Sequence, residues 1–217
     1  MGIKAFITGV EGTTLSSDER SFIDHEHPWG MILFARNIED PRQVHRLVDE
    51  FREAVGRGDA PVLIDQEGGR VQRLRPPHWE NYATGKMLGD LWRHDKKTGS
   101  EIIRIHSRLI ADDLYKLGIN VDCLPCVDVP VSGGHDVIGD RAYSNVAQEV
   151  AEIGRIACEG LMDGGVLPVI KHIPGHGRAG ADSHKELPEV HASHEELAAS
   201  DFVPFKALNK MPMAMTA

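Results

Sequence analysis

The sequence contains few cysteines and no long apolar run. Its 217 residues include three cysteines, Cys123, Cys126 and Cys158, an odd number that predicts reduced thiols rather than a disulfide framework. The first two form a C-x-x-C pair, but no second pair completes a four-thiolate zinc site, so we interpret them as buried strand residues. The amino terminus lacks the pattern of a secretory signal, and no run reaches the ~18 apolar residues that span a bilayer. We therefore expect a cytoplasmic protein with no membrane partner.

Basic residues are also too few for a typical nucleic-acid-binding protein. The chain has 24 Lys and Arg against 33 Asp and Glu, which gives a net charge of −9. Proteins that bind polyanions usually carry a basic face, so we expect no nucleic-acid partner. The nucleotide-binding patterns G-x-G-x-x-G, after the first strand, and G-x-x-x-x-G-K-[ST] are missing as well, and we expect no cofactor.

Short apolar runs alternate with amphipathic helical patterns along the whole chain. Six apolar runs predict strands: residues 4–10, 30–35, 61–65, 119–129, 166–171 and 211–217. One helical pattern begins after Asp40–Pro41, and three others cover residues 101–117, 146–161 and 199–210. This alternation indicates an α/β fold with a parallel sheet, and strands that are apolar throughout are typical of a sheet covered by helices.

Two architectures fit this pattern, an open doubly wound sheet and a (β/α)₈ barrel. Polar residues follow several predicted strands, namely Asp65, Asp128 and the pair Lys171–His172. Because barrels build their sites from the ends of several strands, this arrangement favours the (β/α)₈ barrel. Only about six strands are predicted, and the last apolar run ends with the chain. We therefore expect a TIM-type barrel that is truncated after about six strands.

Two loop motifs carry candidate ligand-binding residues. In "IDQEGGRVQRL", Asp65 follows a strand and Arg73 lies eight residues later, so the pair could bind sugar hydroxyls or simply close the turn. In "GDRAYS", Arg141 lies beside an aromatic residue, either as a ligand contact or as a surface arginine.

The stretch "KHIPGHGRAGADSHKELP", residues 171–188, admits several kinds of site. One alternative is a metal site made of three histidines and one aspartate: His172, His176, His184 and Asp182. A catalytic triad centred on Ser183 is a second alternative, but the G-x-S-x-G turn of such a nucleophile is missing. A phosphate-binding loop is a third, but the stretch has no lysine and Ser or Thr in the required register. A polar loop with incidental histidines is the structural alternative.

The alternative that we favour is a proton-transfer pair formed by Asp182 and His184. In an extended loop, residues two positions apart project to the same side. Asp182 could then accept a hydrogen bond from one ring nitrogen of His184, which fixes the tautomer and leaves the other nitrogen for substrate. Such a histidine could protonate a leaving group and later deprotonate water.

These motifs, in this order from Asp65 to Pro188, resemble glycoside hydrolase family 3. They are similar in particular to the bacterial β-N-acetylhexosaminidases of peptidoglycan recycling, the NagZ type. The resemblance implies that residues 1–217 form a single, incomplete catalytic barrel domain with no metal and no cofactor. It also implies a small-molecule carbohydrate substrate, a muropeptide from which the enzyme removes terminal β-linked N-acetylglucosamine with retention of configuration.

The resemblance also assigns roles to seven residues. Five match the sugar-binding residues of the family: Asp65, Arg73, Arg141, Lys171 and His172. His184 matches the acid/base, and Asp182 matches the residue that orients it. The nucleophilic aspartate of the family matches no residue here and is expected beyond Ala217, whereas Asp201 is interpreted as a helix cap. The alternatives are an inactive sugar-binding remnant and a metal-dependent barrel hydrolase.

Overall fold

The computed structural model describes residues 2–131, 136–180 and 188–217. The strands are β1 (Lys4–Thr8), β2 (Pro28–Leu33), β3 (Val62–Ile64), β4 (Gln66–Gly68), β5 (Val71–Gln72), β6 (Val121–Asp122), β7 (Leu167–Ile173) and β8 (Met213–Thr216). The helices are α1 (Ser17–Glu26), α2 (Pro41–Val55), α3 (Gly85–His94), α4 (Lys96–Tyr115), α5 (Ala147–Asp163), α6 (His194–Ala199) and α7 (Phe202–Ala207). Short 3₁₀ turns cover Ala35–Asn37 and Gly139–Arg141.

Six of the strands form one sheet in the order β1-β2-β3-β6-β7-β8, and every neighbouring pair is parallel. With the helices that connect the strands, this sheet makes a half-barrel. The α/β class, the barrel type and the count of about six strands are therefore confirmed. The other two strands, β4 and β5, form a separate antiparallel hairpin directly after β3, which the sequence did not predict.

Side chains along the central strands alternate between two apolar layers. On β3, Val62 and Ile64 pack in the cluster that includes helix α2, whereas Leu63 packs in an inner cluster with Val121 and Val169. Both faces of the strand are therefore covered, which explains why the strands are apolar at every position.

Local sequence signals place several helix boundaries. Asp40 caps α2 by accepting from the backbone N–H groups of Arg42 and Gln43, and Gly56 ends this helix at φ 68°. The prediction for α4 was late by five residues, because Asp95 caps a helix that begins at Lys96 rather than at residue 101. Helices α1, α3 and α6 were not predicted.

Two sequence interpretations need correction. The strand expected over residues 119–129 is present but shorter, since it consists of β6 and one isolated bridge between Cys126 and Lys171. Pro125, between these two parts, has no N–H to donate to a neighbouring strand. Asp201 makes no side-chain capping bond to α7. Its buried carboxylate accepts hydrogen bonds from Arg178 instead, at 2.9 Å from Nη2.

The three cysteines, Cys123, Cys126 and Cys158, are buried and free, as expected from the sequence. Burial raises the pKa of each thiol, to about 12 for Cys158. Among the helices of the described ranges, none combines the length and the apolar composition that crossing a bilayer requires.

Candidate active site

A pocket of about 340 Å³ opens at the carboxyl ends of the strands. All five residues to which the family resemblance assigns sugar binding line it: Asp65, Arg73, Arg141, Lys171 and His172. The remaining wall comes mainly from apolar side chains, including Ile32, Phe34, Val71 and Met215. The structure therefore brings five distant residues into one charged and partly apolar pocket, although their role in binding a sugar stays a prediction.

Strands β3 and β7 position Asp65 and Lys171. Leu63 and Val169 belong to the inner apolar cluster, and each charged residue lies two positions further along the same strand direction. Residues two positions apart on a strand face the same side. Both charged side chains therefore lie on the inner face of the sheet, at its carboxyl end. Nζ of Lys171 lies 2.8 Å from Oδ1 of Asp65.

The β4–β5 hairpin positions Arg73. Oε1 of Gln66 accepts hydrogen bonds from the backbone N–H groups of Arg73 and Leu74, at 2.9 and 3.0 Å. This clamp brings Nη2 of Arg73 to 3.0 Å from Oδ2 of Asp65. The Asp–Arg pair therefore closes the turn, as the structural alternative predicts, and both side chains also line the pocket, where their binding of sugar hydroxyls stays a prediction.

Arg141 is held by a second carboxylate of the hairpin, that of Glu67. Nε and Nη2 of Arg141 donate to Oε2 and Oε1 of Glu67 at 2.9 and 2.8 Å, a bidentate arrangement. Lys171 approaches the same carboxylate, with Nζ 2.5 Å from Oε1. The alternative of a surface arginine is therefore wrong, since the Arg141 side chain is only 11% exposed.

A third arginine fixes the segment that carries Arg141. Arg70 lies in the turn between β4 and β5, and its Nε donates to Oδ1 of Asp140 at 2.9 Å. Its Nη2 donates to the backbone carbonyls of Asp136 and Val137 at 3.0 and 2.6 Å. The hairpin therefore holds the side chain of Arg141 and also the backbone that precedes it.

His172 is oriented by Asp128. Oδ2 of Asp128 lies 2.6 Å from Nδ1 of His172, and Oδ1 accepts from the backbone N–H groups of His172 and His176. The carboxylate accepts the Nδ1 proton, so Nε2 of His172 is the nitrogen left toward Arg141, whose Nη2 lies 3.4 Å away. Asp128 is completely buried, so water does not solvate its carboxylate. The hydrogen-bond donors around it stabilise its negative charge instead.

The charged groups of the site form an alternating chain. Burial opposes ionisation of Asp65 and Glu67, but the charge of Lys171, with Arg73 and Arg141, holds the pKa of both carboxyls below their usual values. Burial likewise favours the neutral amine of Lys171, but the same carboxylates raise its pKa above the ordinary lysine value. The site is therefore a set of mutually neutralised charges that stay ionised around neutral pH.

The proposed proton-transfer pair, Asp182 and His184, lies outside the described residues. The segment that precedes it is anchored by Arg178, whose guanidinium donates to the buried Asp201 and to Ser200. Arg178 lies three positions before the undescribed range 181–187.

One group of potential metal ligands occurs within the described ranges. Sγ of Cys126, a carboxylate oxygen of Asp128 and a ring nitrogen of His172 lie within 4.8 Å of one another. These atoms are joined by hydrogen bonds, since Sγ donates to Asp128 at 3.3 Å and Nδ1 of His172 donates at 2.6 Å. Burial raises the pKa of Cys126 well above its usual value, so the thiol keeps its proton. The cluster thus fits a hydrogen-bond network better than a metal site built on a thiolate.

Sequence reasoning missed two residues that organise the site, Glu67 and Asp128. The sequence places Asp128 at the end of a predicted strand, but no local pattern assigns it a role. Glu67 lies two positions after Asp65 in the same motif, and this spacing was the available signal. Its partners could not be identified locally, because Arg141 is 74 positions away.

Together, the fold and the pocket define a barrel-type α/β protein with a charged pocket at the carboxyl ends of its parallel strands. The chain belongs to glycosyl hydrolase family 3, because residues 6–217 match the model of the "Glycosyl hydrolase family 3 N terminal domain".

Individual relatives agree with this assignment. The chain is 36% identical over 211 residues to a beta-hexosaminidase of Alkalilimnicola ehrlichii, covering 96% of this chain and 60% of that protein. It is 38% identical over 197 residues to a beta-hexosaminidase of Methylococcus capsulatus, covering 91% and 57%. The crystal structure of NagZ from Neisseria gonorrhoeae with N-trifluoroacetyl-D-glucosamine superposes with a TM-score of 0.92 at 29% identity, covering 99% of this chain and 63% of that one. The chain therefore spans less than two thirds of the length of these relatives.

Proposed function

We propose that this chain is part of a retaining exo-β-N-acetylglucosaminidase that removes terminal β-linked N-acetylglucosamine from muropeptides. The observation that carries the proposal is the convergence of Asp65, Arg73, Arg141, Lys171 and His172 on one pocket. Its volume, about 340 Å³, lies at the small end of the range for ligand pockets, roughly 300–1,000 Å³. The beta-hexosaminidase relatives and the glucosamine-analogue complex of NagZ support the same class of substrate.

The proposed roles follow from the chemistry of each group. Asp65 uses both oxygens in ion pairs with Lys171 and Arg73, so it serves to bind sugar hydroxyls rather than to attack the anomeric carbon. The guanidinium and ammonium groups donate to sugar oxygens, and Nε2 of His172 contributes a further polar contact. We assign the acid/base role to His184 and its orientation to Asp182, and we assign the nucleophile to no residue of this chain.

We further propose that residues 1–217 form a single, incomplete catalytic barrel domain and that the protein acts in peptidoglycan recycling in the cytoplasm. The free, buried state of the three cysteines is consistent with a reducing compartment.

Hydrolysis of an aryl β-N-acetylglucosaminide by the complete protein tests the proposal. We expect His184→Ala to lower turnover at least ~100-fold, the scale that loss of an acid/base group produces. His191→Ala is the matched control, since its ring is exposed and its ion-pair partner among the described residues is Glu189, and it should retain full activity. Undiminished activity of His184→Ala contradicts the acid/base assignment.

Two further outcomes identify the alternatives. Calorimetric binding of N-acetylglucosamine without hydrolysis would identify an inactive sugar-binding protein. Loss of hydrolysis in a chelator, restored by added metal and accompanied by bound metal in elemental analysis, would identify a metal-dependent hydrolase.

A further inference from the structure

Glu67 contributes to the site from behind the pocket rather than from its wall. Its side chain is only 5% exposed, and it is not among the residues that line the 340 Å³ pocket. It lies on β4, and the neighbouring Gln66 is fixed by the backbone of Arg73 and Leu74 and by Asp122. The carboxylate therefore projects from a rigid hairpin toward the pocket-lining cations.

This single carboxylate joins two of those cations. Oε1 contacts Nζ of Lys171 and accepts from Nη2 of Arg141, and Oε2 accepts from Nε of Arg141. Lys171 has a second carboxylate partner in Asp65, whereas the carboxylate that Arg141 contacts in the described residues is that of Glu67. The other contacts of Arg141 are longer, to the carbonyl of Val137 at 3.3 Å and to Nε2 of His172 at 3.4 Å.

The bridge also lets two like charges share one wall of the pocket. Without an anion between them, the largely buried side chains of Lys171 and Arg141 would repel each other. A planar guanidinium held by two parallel bonds keeps a defined orientation, which a single contact does not provide. The third nitrogen of Arg141, Nη1, donates only the longer bond to Val137 within the described contacts.

We propose that Glu67 is a positioning residue that holds Arg141 and Lys171 in the geometry that binds the sugar. This inference rests on the proposed function, because it concerns the same pocket. Glu67 contacts no substrate itself, and its effect reaches the ligand through the two cations.

The test compares Glu67→Gln with the complete wild-type protein. We expect the Kd for N-acetylglucosamine, by calorimetry, and the KM for an aryl β-N-acetylglucosaminide to rise roughly 10- to 100-fold, as misplaced binding groups produce. Asp113→Asn is the matched control, because it changes a partly buried carboxylate that binds only Tyr82 in the described contacts, and both constants should stay at wild-type values. Wild-type Kd and KM in Glu67→Gln overturn the inference.

A merely structural role predicts a different result. If the substitution only unfolded some molecules, calorimetric stoichiometry and kcat would fall while Kd and KM stayed constant, which also overturns the inference. Glu67→Asp is a second, independent variant that keeps the charge but is one methylene too short to bridge both cations. We expect its Kd to rise about tenfold, and a folded Glu67→Asp protein with wild-type Kd contradicts the proposal.

A ligand-free readout separates this inference from the proposed function. The ¹H–¹⁵N resonance of Nε of Arg141 should be protected from exchange in the wild type and lose that protection in Glu67→Gln. An unchanged resonance overturns the positioning role whatever the substrate is. Failure of the wild-type protein both to bind and to hydrolyse N-acetylglucosaminides would refute the proposed function, while the Arg141 resonance would still decide the role of Glu67.

Discussion

Asp128 accepts a hydrogen bond from Nδ1 of His172 at 2.6 Å, at the point where β7 reaches the pocket. The same carboxylate binds the backbone N–H groups of His172 and His176, so it fixes both the ring and the loop that follows. Burial opposes ionisation of Asp128, but these donors, foremost His172, hold the pKa of its carboxyl below the usual value.

Asp128→Asn is expected to weaken the site by changing the tautomer of His172. The amide would present an NH₂ group to Nδ1, so the ring would move its proton to Nε2, where Nη2 of Arg141 is a donor at 3.4 Å. We expect the free energy of unfolding to fall by about 1–3 kcal/mol, the cost of a buried polar mismatch. Urea denaturation measures this loss, and long-range ¹H–¹⁵N correlation spectra report the tautomer.

The control for that substitution is Asp163→Asn, which removes an exposed ion pair with Arg104. Exposed pairs contribute roughly 0–1 kcal/mol, so its effect on unfolding should be small. A His172 ring that keeps its Nδ1 proton in Asp128→Asn would contradict the prediction.

Asp122→Asn is expected to become more stabilising as the pH rises. Burial raises the pKa of Asp122 well above the usual value, and Oδ2 has no hydrogen-bond partner in the described structure. Between about pH 4, the unfolded pKa, and the raised folded pKa, the folded state holds one proton more than the unfolded state. Wild-type stability from this group is therefore full below pH 4 and declines as the pH rises through that window, by up to about 1.4 kcal/mol per pH unit.

The asparagine side chain does not ionise, so the variant lacks this pH dependence. Its amide oxygen can still accept a hydrogen bond from the backbone N–H of Gln66. Urea unfolding of both proteins at pH 4, 5.5 and 7 measures the difference. A difference in unfolding free energy that is the same at all three pH values would show that Asp122 ionises normally.

Gly89→Ala is expected to destabilise the fold by about 1–3 kcal/mol or more, the range for overpacked cores. A Cβ at this position of α3 would lie 1.7 Å from the backbone oxygen of Tyr143, just after Arg141, so one of the two backbones must move. The gain in helix propensity, about 1 kcal/mol, is too small to offset this clash. Thermal or urea unfolding measures the effect.

Gly58→Ala provides the comparison, because a Cβ there meets no atom within 4 Å. Its change in stability should stay within about 0.5 kcal/mol. Equal stability of the two alanine variants would show that α3 does not pack against the 141–143 backbone as closely as the structure has it.

The prediction of the half-barrel succeeded where local sequence carries the signal. Strand β3, Val62–Ile64, is apolar at every position because a helix-side cluster covers one face and the inner cluster covers the other. The prediction failed for β4 and β5, whose short segments contain polar residues and turn glycines and lack an apolar period. It failed again for Asp201, which forms a buried ion pair with Arg178 instead of capping a helix. The local sequence around Asp201 is compatible with either role and does not distinguish them.

The sequence by itself determined the parallel α/β class and the positions of Asp65, Lys171 and His172 at strand ends, because strand periodicity and chain direction are local properties. Only the tertiary structure decided that Glu67 joins Arg141 to Lys171 and that Asp128 orients His172. These pairs are separated by 74 positions for Glu67 and Arg141 and by 44 for Asp128 and His172. Contacts across such distances depend on the order of strands in the sheet and on the packing of loops at its carboxyl end, and the pattern of one sequence does not contain that order.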